Sequence, residues 1–211
     1  MEYNIIQSSR HNSFCGIIDS YYSFLIFNII HKCLGKFMER KMANNFTALF
    51  HAYSTAIFCF SYLLSKDPTL WYFVKKFSTG YFLYDLRQLI KYEKLSLKNC
   101  AYLYHHMASI YFIHQNRHLY NVADVFFWSE LSNIPSYFVY FYLKQKNING
   151  EKLKWLKKIQ LYVFSFIRLP IITYILIKNY RKNINLTPVY PVIPNYLMGL
   201  IWTNQLRKQL K

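Results

Sequence analysis

Acidic side chains are scarce in this chain of 211 residues, where 9 Asp and Glu stand against 26 Lys and Arg. The resulting formal net charge of +17 could indicate a nucleic-acid-binding protein. No basic stripe interleaves with the apolar positions, however, so we expect no nucleic-acid partner. The lysines instead collect at the ends of long apolar segments, as they do beside membrane spans. Abundant Lys, Asn, Ile, Tyr and Phe are also typical of AT-rich coding. Part of the excess of Lys is therefore explained by codon composition, and the net charge alone does not indicate an anionic partner.

Sequence motifs of nucleotide and metal chemistry are missing as well. The chain contains no GxxxxGK[ST], GxGxxG or HExxH pattern and no internal repeat. Its cysteines, Cys15, Cys33, Cys59 and Cys100, are widely separated and form no CxxC pair. They predict neither a zinc site nor a disulfide framework. We therefore expect no metal and no resident cofactor.

Long apolar segments are present along the whole chain, which is 54% hydrophobic and 20% aromatic. Most of them approach the ~20 residues that a helix needs to cross a bilayer core. The sequence thus predicts an all-α, polytopic transmembrane helix bundle of about six or seven spans. The first candidate span carries Asp19 and is the weakest. The candidate spans are residues 14–31, 46–65, 71–90, 99–113, 122–143, 159–178 and 188–206.

The distribution of basic residues predicts an orientation. With the N-terminus outside, the inner side holds about twice as many Lys and Arg as the outer side, as the positive-inside rule requires. The inner basic clusters are residues 32–41, 91–98, 144–158 and 207–211. The chain then divides into a tail with the first span (1–39), a main transmembrane domain (40–206) and a basic C-terminal tail (207–211).

Several ionisable side chains lie far from the charged ends of the predicted spans. An Asp, Lys or Arg at the centre of a membrane helix is unfavourable by about 2.5 to 3.5 kcal/mol when it faces lipid. We therefore expect these side chains to turn inward and to meet one another or line a wet cavity. They are His51, Asp85, His105, His106, Glu130 and Arg168.

Helical spacing supports an inward polar surface, because polar residues recur on one face of two spans. One stripe is Ser78, Tyr81, Asp85 and Gln88, and the other is Glu130, Asn133, Tyr137 and Tyr140. In the fourth span His105 aligns with Ser109. Plainer roles stay open: either histidine could be a packing residue that hydrogen-bonds across helices. Asp85 and Arg168 could form a structural ion pair.

Five short motifs resemble the TLC (TRAM/Lag/CLN-type) domain family. Their order and spacing match over roughly residues 40–206, so this segment is read as a TLC-type transmembrane domain. The motifs are His51-Ala52, Gly80-Tyr-Phe-Leu-Tyr-Asp85, Tyr104-His-His-Met-Ala-Ser-Ile110, Glu130-Leu-Ser-Asn-Ile-Pro135 and Phe166-Ile-Arg168.

The resemblance implies a multi-pass, all-α membrane domain that handles lipids in the endoplasmic reticulum or a related membrane, with a cytosolic C-terminus in the orientation above. The family includes ceramide synthases, whose longer motif begins His-His-x-x-Thr and ends with His-Asp and further acidic residues. Here Ser109 stands in place of the Thr, and residues 121–130 replace the acidic part. The Glu-Leu-Ser-x-x-Pro signature looks like that of the smaller, non-synthase branch.

The first functional hypothesis is a protein that binds or handles membrane lipid in a mid-membrane polar and apolar cavity, acting in lipid homeostasis. A charged guanidinium could hold a phosphate or carboxylate head, and the histidines could hydrogen-bond an amide or hydroxyl. The candidate lipid-binding residues are His51, Tyr81, Ser109, Glu130, Asn133 and Arg168.

The second hypothesis is a ceramide-synthase-like acyltransferase, and the sequence leaves open whether the protein is an enzyme. The candidate catalytic residues are His105, His106 and Asp85: a histidine would act as general base or carry the acyl group, and the carboxylate would orient it. Acyl-CoA would be the co-substrate, attracted by the basic inner face. Metal-dependent lipid hydroxylation is disfavoured because metal-ligand spacing is absent.

Overall fold

The computed structural model describes residues 19–94, 96–115, 118, 121–145, 149–182, 185 and 187–210. Within these residues the chain is helical and contains no strand, which confirms the all-α prediction. Each helix overlaps a predicted apolar span, but α6 begins at Gly150, so residues 150–158, which were predicted to belong to an inner basic loop, are helical instead. The helices are α1 (19–34 of the described chain), α2 (Arg40–Ser65), α3 (Pro68–Tyr92), α4 (Leu97–Ile113), α5 (Val122–Leu143), α6 (Gly150–Tyr162), α7 (Leu169–Arg181) and α8 (Ile193–Lys208).

Two helical segments of the described chain are long and apolar enough to cross a membrane, Arg40–Ser65 and Gly150–Arg181. The second joins α6, a π-helical turn at Val163–Arg168, and α7 into one rod of 32 residues. Helices α4 and α8 have 17 and 16 residues and lie at the short end of what a bilayer core needs. Helices α3 and α5 are long enough, but the polar stripes that they carry lower their hydropathy.

Local sequence explains where several helices begin. Asp67 caps α3 by accepting a hydrogen bond from the Thr69 backbone N–H at 2.8 Å, and Pro68 occupies the first helical position. Hydrogen bonds from the Thr69 hydroxyl and backbone lower the pKa of Asp67. Ser96 and Asn149 cap α4 and α6 in the same way.

Small side chains let the central helices approach closely. The buried face of α2 includes Ala43, Thr47, Ala52, Thr55 and Ala56, and this helix packs mainly against α5 and next against α3. Helix α4 contacts α3 but touches α5 little. The interior therefore opens between α3 and α4 on one side and α5, α6 and α8 on the other.

The aromatic core lies mainly in one half of the bundle. Most of its members stand where α2 and α4 end and where α3 and α5 begin, which is the predicted outer half, and Tyr81, Phe82 and Tyr84 extend it past the middle of α3. Its larger members include Trp71, Phe77, Phe112 and Phe126. The predicted inner half, where the basic clusters lie, is left open.

Candidate functional site

A cavity of about 610 Å³ occupies the inner half of the bundle. We call it the chamber. At its mouth lie Lys41, Glu93, Lys98 and Gln209, which stand at the inner ends of α2, α3, α4 and α8. The chamber brings together most of the site residues that the sequence predicted: Tyr81, Asp85, His105, His106, Glu130, Asn133 and Arg168.

A second, smaller cavity of about 60 Å³ lies towards the outer half, and we call it the apolar pocket. Its walls come from α3, α4, α5, α7 and α8 and from the π-helical turn at Val163–Arg168. Ser109, predicted to contact lipid, lines this pocket rather than the chamber. The apolar lining residues are Phe82, Phe112, Val125, Phe126, Leu169, Ile172 and Gly199.

Five residues line both cavities, the apolar Phe82 and four polar residues. The four polar residues are His105, Glu130, Asn133 and Arg168, and we call them the polar septum. A molecule that occupied both cavities would therefore pass the septum with its polar part on the chamber side. This arrangement places an amphipathic boundary inside the bundle.

His106 and Asp85 form a hydrogen-bonded pair on the chamber wall. The Nε2 atom of His106 lies 2.7 Å from Oδ2 of Asp85 and donates to it when the imidazole is neutral. His106 is buried, whereas the Asp85 side chain is 24% exposed. The Nδ1 atom of His106 has no hydrogen-bond partner among the described residues, so a lone pair is free to accept a proton or a hydrogen bond.

His105 lies beside His106 but has different surroundings. The two imidazole centroids are 5.3 Å apart, and His105 packs edge-on against Trp202 of α8. Its polar neighbour Asn195 also belongs to α8 and lines the apolar pocket. In the described structure neither Nδ1 of His105 nor Oδ1 of Asn195 completes a hydrogen bond. The two histidines therefore have separate partners, as their position on adjacent residues of one helix requires.

Arg168 is held in the septum by two contacts. Its Nη1 donates to Oδ1 of Asn133 at 2.9 Å, and its guanidinium lies 4.9 Å from the centroid of the Phe164 ring. Glu130 is close enough to interact electrostatically with the guanidinium of Arg168. The alternative ion pair between Asp85 and Arg168 is not formed, because each has a nearer partner on another helix.

The π-helical turn explains how Arg168 reaches the septum. Pro170 lies two residues after the turn and has no N–H to bond back to the carbonyl of Phe166, so the α-helical ladder is interrupted there. A π turn widens the helix by one residue and is common at functional sites. Arg168 thus ends a widened turn and is buried within it.

His51 lies one layer behind the chamber wall, against Tyr81. Its ring stacks on that of Tyr81 with centroids 3.8 Å apart, and Nε2 lies 3.1 Å from the Ser78 hydroxyl oxygen. The Nδ1 atom is 3.9 Å from Oε2 of Glu130, beyond hydrogen-bond distance. His51 thus supports Tyr81 and Glu130, which line the chamber, and it is 1% exposed.

Three buried site residues were not among the predicted ones. Gln88 and Gln160 line the chamber, and Asn195 lines the apolar pocket. Gln88 is the last residue of the polar stripe on α3, so its helical spacing could have predicted that it lines the cavity. Gln160 precedes Arg168 by eight residues, which is close to two turns of a helix, so the two side chains lie on nearby faces of it. For Asn195 the sequence contains no such signal.

No protein-family model, no curated protein and no solved structure matches this chain. The TLC resemblance therefore stays a prediction that depends on the motifs themselves. Across the part of the chain that the structure describes, no group of three or more His, Cys, Asp or Glu side chains is arranged to hold a metal ion.

Proposed function

We propose that the protein is an integral membrane bundle of six or seven spans that binds a membrane lipid and acts in lipid homeostasis. Large apolar side chains are exposed on α1 through α8, which a soluble monomer rarely tolerates. Examples are Leu64 at 70%, Met107 at 63%, Phe166 at 68% and Ile201 at 58% exposed. A bilayer would cover these side chains.

The polar septum is the observation that carries lipid binding. A lipid is polar at one end and apolar along its chains, and the septum residues face a polar chamber on one side and an apolar pocket on the other. The head group would occupy the chamber, and part of one chain would pass the septum into the pocket. At about 60 Å³ the pocket is far smaller than a whole ligand site, so it would receive only the end of a chain.

The side of access follows from the position of the chamber mouth. The mouth lies among the basic inner ends of the helices, whereas the aromatic core closes the outer half. With the inner side facing the cytosol, the lipid would come from the cytosolic leaflet. An endoplasmic reticulum or related endomembrane location is proposed on the family resemblance.

Native mass spectrometry of the purified protein tests this proposal. Monodisperse protein in mild detergent should carry one bound lipid per chain. Arg168→Met should reduce that occupancy several-fold because it removes the septum's cation and its bond to Asn133. Arg181→Met removes an exposed cation at the end of α7 and should leave occupancy unchanged. A wild-type protein that neither retains lipid nor takes it up again would overturn the proposal.

Acyl transfer is a second candidate, favoured by the 2.7 Å contact between His106 and Asp85. Asp85 would hold the imidazole with Nδ1 as the free base. That base would take the proton of an acceptor amine or hydroxyl while the acceptor attacks the thioester carbon of acyl-CoA. The new acyl bond forms, the carbon–sulfur bond breaks, and the thiolate leaves with the proton from the imidazolium. Lys41 and Lys98 at the mouth would attract the anionic co-substrate.

Lipid analysis of cells expressing the protein separates the two candidates. Cells would receive labelled fatty acid and labelled sphingoid base, with wild type and His105→Ala/His106→Ala matched for protein level. A labelled acyl-lipid made only by the wild type would favour the acyltransferase. A shift among existing lipids without new label would favour lipid binding alone.

A further inference from the structure

Four of the nine buried side-chain atoms without a hydrogen-bond partner among the described residues belong to residues of the chamber wall, and three of these residues do not line the apolar pocket. Gln88 on α3, His106 on α4 and Gln160 on α6 are each exposed by no more than 9%. One side-chain atom of each has no hydrogen-bond partner among the described residues: Oε1 of Gln88, Nδ1 of His106 and Oε1 of Gln160. Unpaired buried polar groups are unfavourable by about 1 to 3 kcal/mol each, so a ligand in the chamber that paired with these three would be stabilised.

The kind of partner that these groups require can be derived from their chemistry. His106 uses Nε2–H on Asp85, which leaves Nδ1 as an acceptor. A glutamine amide carries one acceptor and one donor end, and Gln160 already donates to the Ser136 hydroxyl. A hydroxyl both donates and accepts, so it satisfies an amide in either orientation and the imidazole as well. Several hydroxyls on one head group would satisfy all three residues.

Charge argues against a cationic head group. The carboxylates of the chamber are already engaged, Asp85 by His106 and Glu93 by Arg40 at 3.3 Å. Glu130 faces the buried guanidinium of Arg168. An ammonium head group would therefore meet no free carboxylate, and it would meet Lys41 and Lys98 at the mouth.

We infer that the chamber takes a polyol head group, such as the glycerol, inositol or sugar of a membrane lipid. This inference is based on the proposed lipid-binding function and names the chemical class of the lipid. The hydroxyls form hydrogen bonds with Gln88, His106 and Gln160. The polar septum lies between the head group and the acyl chain. The shared chemistry is the set of neighbouring hydroxyls, whether they belong to a glycolipid or to a phospholipid.

Two lipids of equal charge and chain length isolate the contribution of the hydroxyls. Dioctanoyl phosphatidylglycerol and dioctanoyl phosphatidylethanol both carry one phosphodiester charge, but only the first has head-group hydroxyls. Because a hydrogen bond contributes about 1 kcal/mol, two or three of them should make phosphatidylglycerol bind about tenfold or more tightly. A dioctanoyl galactosyl glycerolipid in the same assay distinguishes a glycolipid source from a phospholipid source. Kd would be measured by lipid-dependent thermal stabilisation in neutral detergent.

Matched variants locate the hydroxyl contacts. Gln88→Met/Gln160→Met keeps side-chain size and should reduce the preference to about threefold or less, while phosphatidylethanol binding persists and reports an intact fold. Gln145→Met, at an exposed position after α5, should leave the full preference. Equal binding of both phospholipids and weaker binding of the glycolipid by the wild type would overturn the polyol inference and leave lipid binding standing. A preference undiminished in the double variant would also overturn it, and binding of no lipid would overturn the proposed function itself.

Discussion

At the scale of single residues, the contact between His106 and Asp85 joins neighbouring helices inside a polar cavity. It gives Asp85 a structural role in addition to any catalytic one, because Asp85 accepts the hydrogen bond of the buried His106 imidazole. The same pair fixes which imidazole nitrogen faces a ligand. The stability of this part of the chamber wall therefore depends in part on one hydrogen bond.

Two substitutions of Asp85 distinguish the effect of its hydrogen bond on stability from the effect of its charge. Asp85→Leu should lower the free energy of unfolding by about 1 to 3 kcal/mol, since it leaves a buried donor unpaired. Asp85→Asn can still accept through its amide oxygen and should retain most of that stability. Reversible unfolding in mixed micelles measures both variants, with Asp124→Asn at the start of α5 as control. Equal losses for Leu and Asn would contradict this account of the pair.

Periodicity predicted which faces of α3 and α5 turn inward, and Tyr81, Asp85, Glu130 and Asn133 all line the chamber. It could not predict partners across helices, because those depend on the relative rotation and depth of two elements. Asp85 consequently bonds to His106 and not to Arg168. Asn195 was missed for a different reason, because a single polar residue creates no periodic pattern.

At the scale of secondary-structure elements, two close contacts set the geometry of the bundle. Gly80 lies where α1 crosses α3, and an added Cβ would come within 2.4 Å of Ser23 Cβ and 2.7 Å of the Phe24 backbone nitrogen. Gly199 lies where α8 borders the apolar pocket, and an added Cβ would lie 3.3 Å from Leu169 Cδ2. The first contact leaves no space, and the second leaves little.

Gly80→Ala should displace α1 or destabilise the protein by about 1 to 3 kcal/mol, because backbone atoms cannot move aside as a flexible side chain can. Gly150→Ala is the matched control, since an added Cβ there meets no atom within 4 Å. Thermal unfolding of both variants in one detergent gives the comparison. A Gly80→Ala protein as stable as Gly150→Ala would show that α1 does not pack on α3 as described.

Gly199→Val should reduce the apolar pocket and shift bound lipids towards shorter chains. The added methyl groups would push against Leu169, which forms the opposite wall. Mass spectrometry of co-purified lipids measures the chain-length distribution, and Gly150→Val serves as control. An unchanged distribution in a folded Gly199→Val protein would mean that no chain enters this pocket.

The apolar segments predicted the positions of most helices, but not the start of α6 at Gly150 or the widened turn at Val163–Arg168. Pro170 is the one feature of the sequence that indicates an irregular helix near this turn, but a proline can equally kink a helix or begin one. A polar and apolar cavity was expected from the sequence, but its division into two cavities was not, because that depends on how closely α4 packs against α5. The distance between these two helices depends on how several helices pack at once, which no single segment encodes.

At the scale of the whole molecule, the number of membrane crossings is the open structural question. If only the two candidate spans cross, the α2–α3 and α5–α6 connections lie on the same side of the membrane, since no crossing separates them. If α3, α4 and α5 cross as well, three crossings separate these connections and they lie on opposite sides. A single pair of positions therefore distinguishes the two topologies.

Lys66→Cys and Gln145→Cys, each in a variant without native cysteines, provide that pair of positions. In sealed vesicles of known orientation, a membrane-impermeant maleimide should label one position from outside and the other only after permeabilisation. We expect position 66 on the lumenal side and position 145 on the cytosolic side. Labelling of both from the same side would exclude the bundle of six or seven spans.

Site-resolved photocrosslinking of a bound lipid tests the central claim most directly, which is that one lipid places its head in the chamber and a chain end in the apolar pocket. The probe would carry a diazirine at the end of one acyl chain, and the adducts would be mapped by peptide mass spectrometry. The account predicts adducts on pocket residues such as Phe112, Val125 and Ile172, reduced by unlabelled lipid in excess. Adducts confined to outward-facing residues such as Leu64 and Met107, unaffected by competitor, would contradict it.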